Sequence, residues 1–488
     1  MSGETAGESD VAAPKRRFGA LAAWTAVAAL VGLGLRILGA RGDYWQDEIW
    51  TFFLLRGVHS PLGIFLDLSA DNNHFLNTLY LYAVGEDATP LVARAFPILL
   101  GVATIAAVAW AMRGRPLLAQ TAAVAMFAAG YPLVHYGSEA RGYAGLILCT
   151  VLSIHLLERE LERPERGNRI WLGVSNLAGT LFQPIMVGTV AVLIGWTIWI
   201  RWRDGRGLGR AVLETQQTFS TTIRLLLVAL VLAVIAVYRV GGYKILNSQA
   251  FTVVRFAEGY GGMLRFLLGI PETMPAWAVL AIMLPATAIL LYLLRDRLGR
   301  RSSLYVLAIF GLPFALLCAR LPNVAVNRYY LLPSIALLLL LADGFAVAWR
   351  RGRWARGLAI ALAAAFALGN AVELGAFFQY GRGNYQEPLK VIATSGKPTV
   401  TGNLDGVVDN TLGFYATRLD LQVTYVSNKE VCGNPAAWLI ESSDAGIVPP
   451  ETVTMGAPDC ARRYRRESVY PSWGLSGWTW TLYRSTDP

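Results

Sequence analysis

Tyr329-Tyr330-Leu331-Leu332-Pro333-Ser334-Ile335-Ala336-Leu337-Leu338-Leu339-Leu340-Leu341-Ala342-Asp343-Gly344-Phe345-Ala346-Val347-Ala348-Trp349 runs directly into Arg350-Arg351. The stretch carries one charge, Asp343. A helix rises about 1.5 Å per residue, so a run of this length crosses the roughly 30 Å hydrocarbon core of a bilayer. The same pattern, an apolar run closed by arginines, recurs along the chain. Outward from 329–349, further runs cover about 18–40, 91–112, 116–136, 142–158, 170–182, 184–201, 221–239, 274–294, 303–319 and 355–378. That makes about eleven spans. The run at 170–182 is short, with Pro184 just beyond it.

Composition agrees. Of 488 residues, 55% are hydrophobic and only 16% charged, where a soluble globular chain carries about 25% charged residues. In lipid every backbone polar group must be satisfied internally, which helices do. The expected fold is a polytopic all-α membrane protein.

The arginines set an expected orientation. Clusters lie at Lys15-Arg16-Arg17, at Arg113 and Arg115, from Arg159 to Arg169, from Arg201 to Arg210, from Arg295 to Arg301 and from Arg350 to Arg356. With eleven spans all of them fall on one side, which the positive-inside rule makes cytoplasmic. The expected division is a cytoplasmic tail at 1–17, a membrane domain at 18–378 with a long outer loop at 41–90, and a small extracytoplasmic α/β domain at 379–488. The net charge of +10 is then topological and calls for no nucleic acid. The first apolar run lacks a small-residue cleavage site and reads as a retained anchor.

Other signals are sparse. Cys149 and Cys318 lie in spans and read as packing residues, whereas Cys432 and Cys460 lie in the outer tail, where disulfides form. No Walker or Rossmann glycine fingerprint and no internal repeat is present. In the tail, β-rich runs occur at 399–401, 421–426, 437–440 and 478–483, with a short helix expected over Leu389–Ala393. Tyr385, Trp473 and Trp478 suit either sugar stacking or a core, and core is the expectation.

Three places break the pattern of spans and loops, and the topology puts all of them on the outer face. The loop at 41–90 is too long for a plain connection. It holds Asp47-Glu48 and Asp71-Asn72-Asn73-His74, with short apolar stretches after each that suit helices lying in the interface. The second place is Ser138-Glu139-Ala140-Arg141-Gly142-Tyr143, and the third is Asn327-Arg328-Tyr329-Tyr330. Arg94, one turn into the second span, faces the same way. Charges near bilayer depth are costly and are paired or functional. Singly, each suits a snorkelling side chain or an ordinary ion pair. Together they offer a different chemistry: a carboxylate to take a proton from an acceptor hydroxyl, and guanidiniums to hold a phosphate leaving group.

On these blocks, together with Ala93-Arg94-Ala95-Phe96-Pro97, Asn73-His74-Phe75-Leu76 and Arg328-Tyr329-Tyr330-Leu331-Leu332-Pro333, the chain resembles the GT-C superfamily. Within it the likeness is to the dolichyl-phosphate-mannose protein mannosyltransferase and aminoarabinose transferase branch, glycosyltransferase family 39-like. The resemblance covers roughly 20–350. It implies an inverting transfer of a sugar from a polyprenyl-phosphate donor to a glycan, glycolipid or protein acceptor, on the outer face of a bacterial inner membrane. It further implies Asp47 as general base, Glu48 orienting it or the acceptor, and Glu139 as a second acidic group. Arg94, Arg141, Arg328 and Tyr329 are implied at the donor phosphate, and His74 at the acceptor or a metal. The family often has His-Pro-Pro where this chain has His74-Phe75-Leu76, and a further His where it has Phe182-Gln183-Pro184. Those departures leave a divalent metal cofactor open. A lipid transporter or flippase and a non-catalytic lipid-binding scaffold are the competing classes. A transporter would show symmetric halves or charged, broken helices at midplane.

Overall fold

A computed structural model describes residues 9–243, 249–457 and 460–486. The chain divides into two compact units. One holds the chain up to residue 37, 60–80 and 94–371, and the other holds 38–59, 81–93 and everything from 372 on.

Among the described residues, six helices are long and apolar enough to cross a membrane: Gly19–Gly39, Ser220–Val240, Ala276–Leu298, Arg301–Ala319, Asn327–Arg350 and Arg353–Tyr380. The remaining apolar runs form helices Ala95–Ala111, Leu117–Ala129, Tyr143–Glu162, Arg166–Phe182 and Met186–Arg203. This is a polytopic helical membrane protein with a small α/β region at its C-terminal end. The lipid-facing character is plain on Ser220–Val240, where only 6% of the apolar window is buried and Leu227, Val228, Leu230, Val231 and Val234 stand exposed. Such a face is stable against acyl chains and not against water. Asn327–Arg350 is the opposite case, with 78% of its window buried. Its leucines form the centre of the first unit.

The run at 116–136 is not one straight helix. Gly130 takes extended backbone, and Pro132 sits in the first turn of a separate helix, Tyr131–Tyr136. Proline is tolerated at that position because the amide it lacks would have no intrahelical partner. Two carbonyls freed at the break, those of Phe127 and Ala128, are met by Arg36, a fully buried residue of the first span. Its Nη atoms donate to the carbonyls of Gly32, Phe127, Ala128 and Leu133 at 2.9–3.2 Å. On the other strand of the break, Tyr131 N–H donates to Asn370 Oδ1 at 2.6 Å. Two of the longer helices of the first unit were not read from the sequence, Leu208–Thr218 and Val253–Leu268. The second is anchored by Tyr260, which stacks on Tyr330 with ring centroids 4.8 Å apart.

The second unit is built on a six-stranded sheet: β1 (Thr399–Gly402), β2 (Thr424–Tyr425), β3 (Trp438–Ser443), β4 (Thr452–Met455), β5 (Arg462–Tyr470) and β6 (Thr479–Ser485). The order is β2-β1-β3-β6-β5-β4. β1 runs parallel to β2 and β3, and the pairs β3–β6, β6–β5 and β5–β4 are antiparallel. Helices Gln386–Thr394 and Asp405–Leu419 precede and follow β1. Cys432 and Cys460 are joined in a disulfide. Of the strands expected at 421–426, only Thr424–Tyr425 forms. β4 and β5 went unread, β5 because Arg462-Arg463-Tyr464-Arg465-Arg466 shows almost no apolar alternation. In that run Tyr464 alone is buried. Tyr385 is a core residue as expected: it is buried, packs edge-on against Trp480 at 4.7 Å and donates its hydroxyl hydrogen to the Arg382 carbonyl at 2.8 Å.

Candidate active site

The first unit gathers a buried charged cluster from sequence-distant segments. Arg141 is its centre. Arg141 Nη2 donates to Asn72 Oδ1 at 2.7 Å, Nε donates to His74 Nε2 at 3.1 Å, and Nη1 lies 3.6 Å from Glu139 Oε1. The guanidinium also sits 5.0 Å from the centre of the Tyr143 ring. Glu139 is fully buried, and its other oxygen lies 3.8 Å from His135 Nε2. His135 in turn meets the Tyr131 hydroxyl through Nδ1 at 3.2 Å. A carboxylate buried this deeply is stable only against cationic and hydrogen-bonding neighbours.

Local sequence explains the placement. The helix Tyr131–Tyr136 ends at Gly137, so 137–142, with a glycine at each end, form a tight turn before Tyr143 restarts the helix. Gly142 is required there: a Cβ would fall 1.8 Å from the Phe182 carbonyl oxygen. Phe182 itself lays its ring over Gly145 and 5.9 Å from Phe96. Asn77 Nδ2 donates to the Ala140 carbonyl at 2.7 Å and Asn73 Nδ2 to the Ile64 carbonyl at 2.9 Å, which ties the His74 segment to the turn.

His74 is fully buried and accepts through Nε2, so that nitrogen carries no proton. Burial first, and then the positive charges of Arg141 and Arg328, hold the imidazole well below its usual range, against an opposing pull from the Phe182 backbone. A metal ion does not fit this setting. Nε2 already faces a guanidinium, and among the described residues no group of three His, Cys, Asp or Glu side chains is placed to hold one.

Of the remaining cations, Arg328 is half-buried in the short turn Asn327–Tyr330, 5.7 Å from the Tyr143 ring centre and thus over the same aromatic as Arg141. Tyr329 precedes the buried Tyr330 in that turn. Arg94 is fully buried at the junction of helices Pro90–Ala93 and Ala95–Ala111. Sequence reading missed Asn72, Asn77 and His135 as partners. The Tyr131, His135, Glu139 spacing of four was the available signal.

Asp47 and Glu48 belong to the second unit, on helix Gln46–Leu55. The two carboxylates have different surroundings. Glu48 is fully buried and its Oε2 accepts from Trp45 N–H at 3.2 Å, closing the first turn of the helix. Asp47 is half-buried. The helix is seated by Thr411, which donates to Gln46 Oε1 at 2.7 Å, by Tyr415, which donates to the Tyr44 carbonyl at 3.0 Å, and by Phe414, stacked on Phe52 at 6.0 Å. Asp43 joins in by accepting from the N–H groups of Tyr385 and Gln386 at 2.7 and 3.0 Å.

No model of a known protein family matches the chain, and no curated protein matches it. Solved structures similar to it include ArnT from Cupriavidus metallidurans in the apo state, 13% identical over 87% of this chain and 94% of that one, with a TM-score of 0.49. The same protein bound to undecaprenyl phosphate is 14% identical over 95% and 98%, with a TM-score of 0.45. The Archaeoglobus fulgidus oligosaccharyltransferase in the apo form is 11% identical over 77% of this chain and 58% of that one, with a TM-score of 0.48.

Proposed function

We propose that this protein is a GT-C-type membrane glycosyltransferase that moves a sugar from a polyprenyl-phosphate donor to an acceptor, on the extracytoplasmic face of a bacterial inner membrane. The observation that carries the reading is the convergence of Arg141, Glu139, His74 and Asn72 in one buried cluster at the end of membrane helices, with Arg328 over the same tyrosine. Burying that much charge without a task is costly.

In this reading Arg328 and Arg94 hold the donor phosphate and stabilise the charge it gains as the glycosidic bond breaks. Arg141, already engaged by three partners, orients the cluster. Glu139 keeps Arg141 charged and placed. Asp47 is the general base that takes the acceptor hydroxyl proton, which makes the transfer a single inverting displacement. The half-buried setting of Asp47 suits an acid–base role better than that of Glu48, whose carboxylate closes its own helix. The chemistry needs no internal energy source, because a phosphate is already a good leaving group. Glycan, glycolipid and protein acceptors all present the hydroxyl or amide nucleophile this requires.

The deciding experiment follows release of polyprenyl phosphate from a labelled lipid-linked sugar in nanodiscs. Wild type releases it, and Asp47→Asn, which cannot take up the proton, releases it at least about 100-fold more slowly. Equal release by both removes Asp47 from the mechanism. No release by wild type across several donors and acceptors removes the enzyme reading and leaves the transporter or scaffold classes.

A further inference from the structure

A groove of about 1040 Å³ lies in the first unit, remote in sequence from every residue given a role above. Its walls come from three helices, Met186–Arg203, Ala276–Leu298 and the segment from Arg301 to Phe310. They are apolar and aromatic, with Trp199, Leu291, Tyr292, Leu307 and Phe310 among them. Its mouth is basic, lined by Arg203, Arg295 and Arg300. Gly299, at φ +55, makes the sharp turn between two of the helices and sets Arg300 at the mouth.

The charges at the mouth are not all spent on each other. Arg300 is paired with Asp204 at 3.0 Å and Arg295 with Asp296 at 3.6 Å. Arg203 has no carboxylate within ion-pair distance among the described residues, so the mouth keeps one positive charge in excess. Arg295 also lies 4.4 Å over the Tyr292 ring, and both line the groove. An aromatic-walled slot between membrane helices, opening at an arginine mouth, is complementary to an amphiphile with an anionic head. Small-ligand pockets run from about 300 to 1,000 Å³, so this one is large enough for a headgroup and the upper part of its chains.

We infer that this groove binds an anionic glycerophospholipid of the surrounding leaflet, with its phosphodiester at Arg203 and Arg300 and its acyl chains against Trp199, Tyr292 and Phe310. The site does not depend on the proposed transfer chemistry.

The test is native mass spectrometry of the full chain, titrated with phosphatidylglycerol or with phosphatidylcholine of the same chains. Phosphatidylglycerol is expected to be retained preferentially. Arg203→Ala is expected to weaken it about tenfold, the worth of one charge-assisted contact. Ala288→Trp, which obstructs the groove and leaves its charges intact, is expected to weaken it at least as much. Arg351→Ala and Arg353→Ala, outside the groove, are expected to leave retention unchanged. Equal retention of the two lipids overturns the inference, as does equal loss in the outside variants or full retention by Ala288→Trp. Competition by free glycerol phosphate at the lipid's own concentration overturns it too, because the apolar wall would then be idle. Tighter retention of a polyprenyl phosphate in the same groove would assign it to a different lipid and overturn the glycerophospholipid inference.

Discussion

Arg141 and His74, 67 positions apart in the chain, meet through Nε and Nε2 at 3.1 Å inside the first unit, which fixes His74 as a neutral acceptor. Its depressed proton affinity has a stability consequence. The unfolded imidazole takes up a proton below about 6.5, and the folded one does so only at much lower pH. The stabilisation is therefore complete above about 6.5 and is lost as pH falls below it. His74→Gln keeps an acceptor for Arg141 and does not titrate. Thermal unfolding in detergent between pH 7.5 and 5 should fall less steeply for the variant than for wild type, and parallel curves would show that His74 is not the group responsible.

Arg94→Ala and Arg328→Ala are expected to weaken use of the lipid donor more than they weaken folding. A charge-assisted contact to phosphate contributes roughly 1.5–3 kcal/mol, about 10- to 150-fold in apparent affinity. Steady-state kinetics against donor concentration check this. Wild-type donor kinetics in either purified variant would remove that arginine from the phosphate.

Glu48→Gln is expected to cost less in turnover than Asp47→Asn. Its carboxylate accepts from Trp45 N–H at 3.2 Å, a bond an amide oxygen also makes. Glu48→Ala should instead loosen the helix start by about 1 kcal/mol. The two residues exchange roles if Glu48→Gln proves to be the slower variant in the release assay.

The Cys432–Cys460 bond closes 28 positions of the second unit. On loop entropy it contributes on the order of 3 kcal/mol. Cys432→Ala with Cys460→Ala should lower the unfolding temperature of the purified protein. In wild type neither thiol should react with an alkylating reagent after denaturation without reductant, and alkylation of both would contradict the bond.

Cysteines introduced singly at Gly207 and Gly402 are expected to differ in intact cells. An impermeant thiol reagent should label the second and spare the first, as the arginine bias requires. Equal labelling of both from outside would refute the eleven-span topology.

The helical membrane architecture was legible in the sequence because lipid makes a one-dimensional demand: a span needs length and apolarity, and Leu331–Trp349 states both without reference to any other segment. Each block of the candidate site was visible for the same kind of reason, since Glu139, Arg141 and Arg328 are charges where charges are expensive. What each charge faces was not legible. Arg141 reaches Asn72 and His74 across more than sixty positions, through a turn that exists only because Gly142 lets the Phe182 carbonyl approach. Likewise, nothing in Glu48 alone told that it caps its own helix, or that this helix rests on Thr411, Phe414 and Tyr415. Burial in lipid is a property of a segment and is written in its composition. Pairing of buried polar groups is a property of two segments at once, and only the tertiary fold decides it.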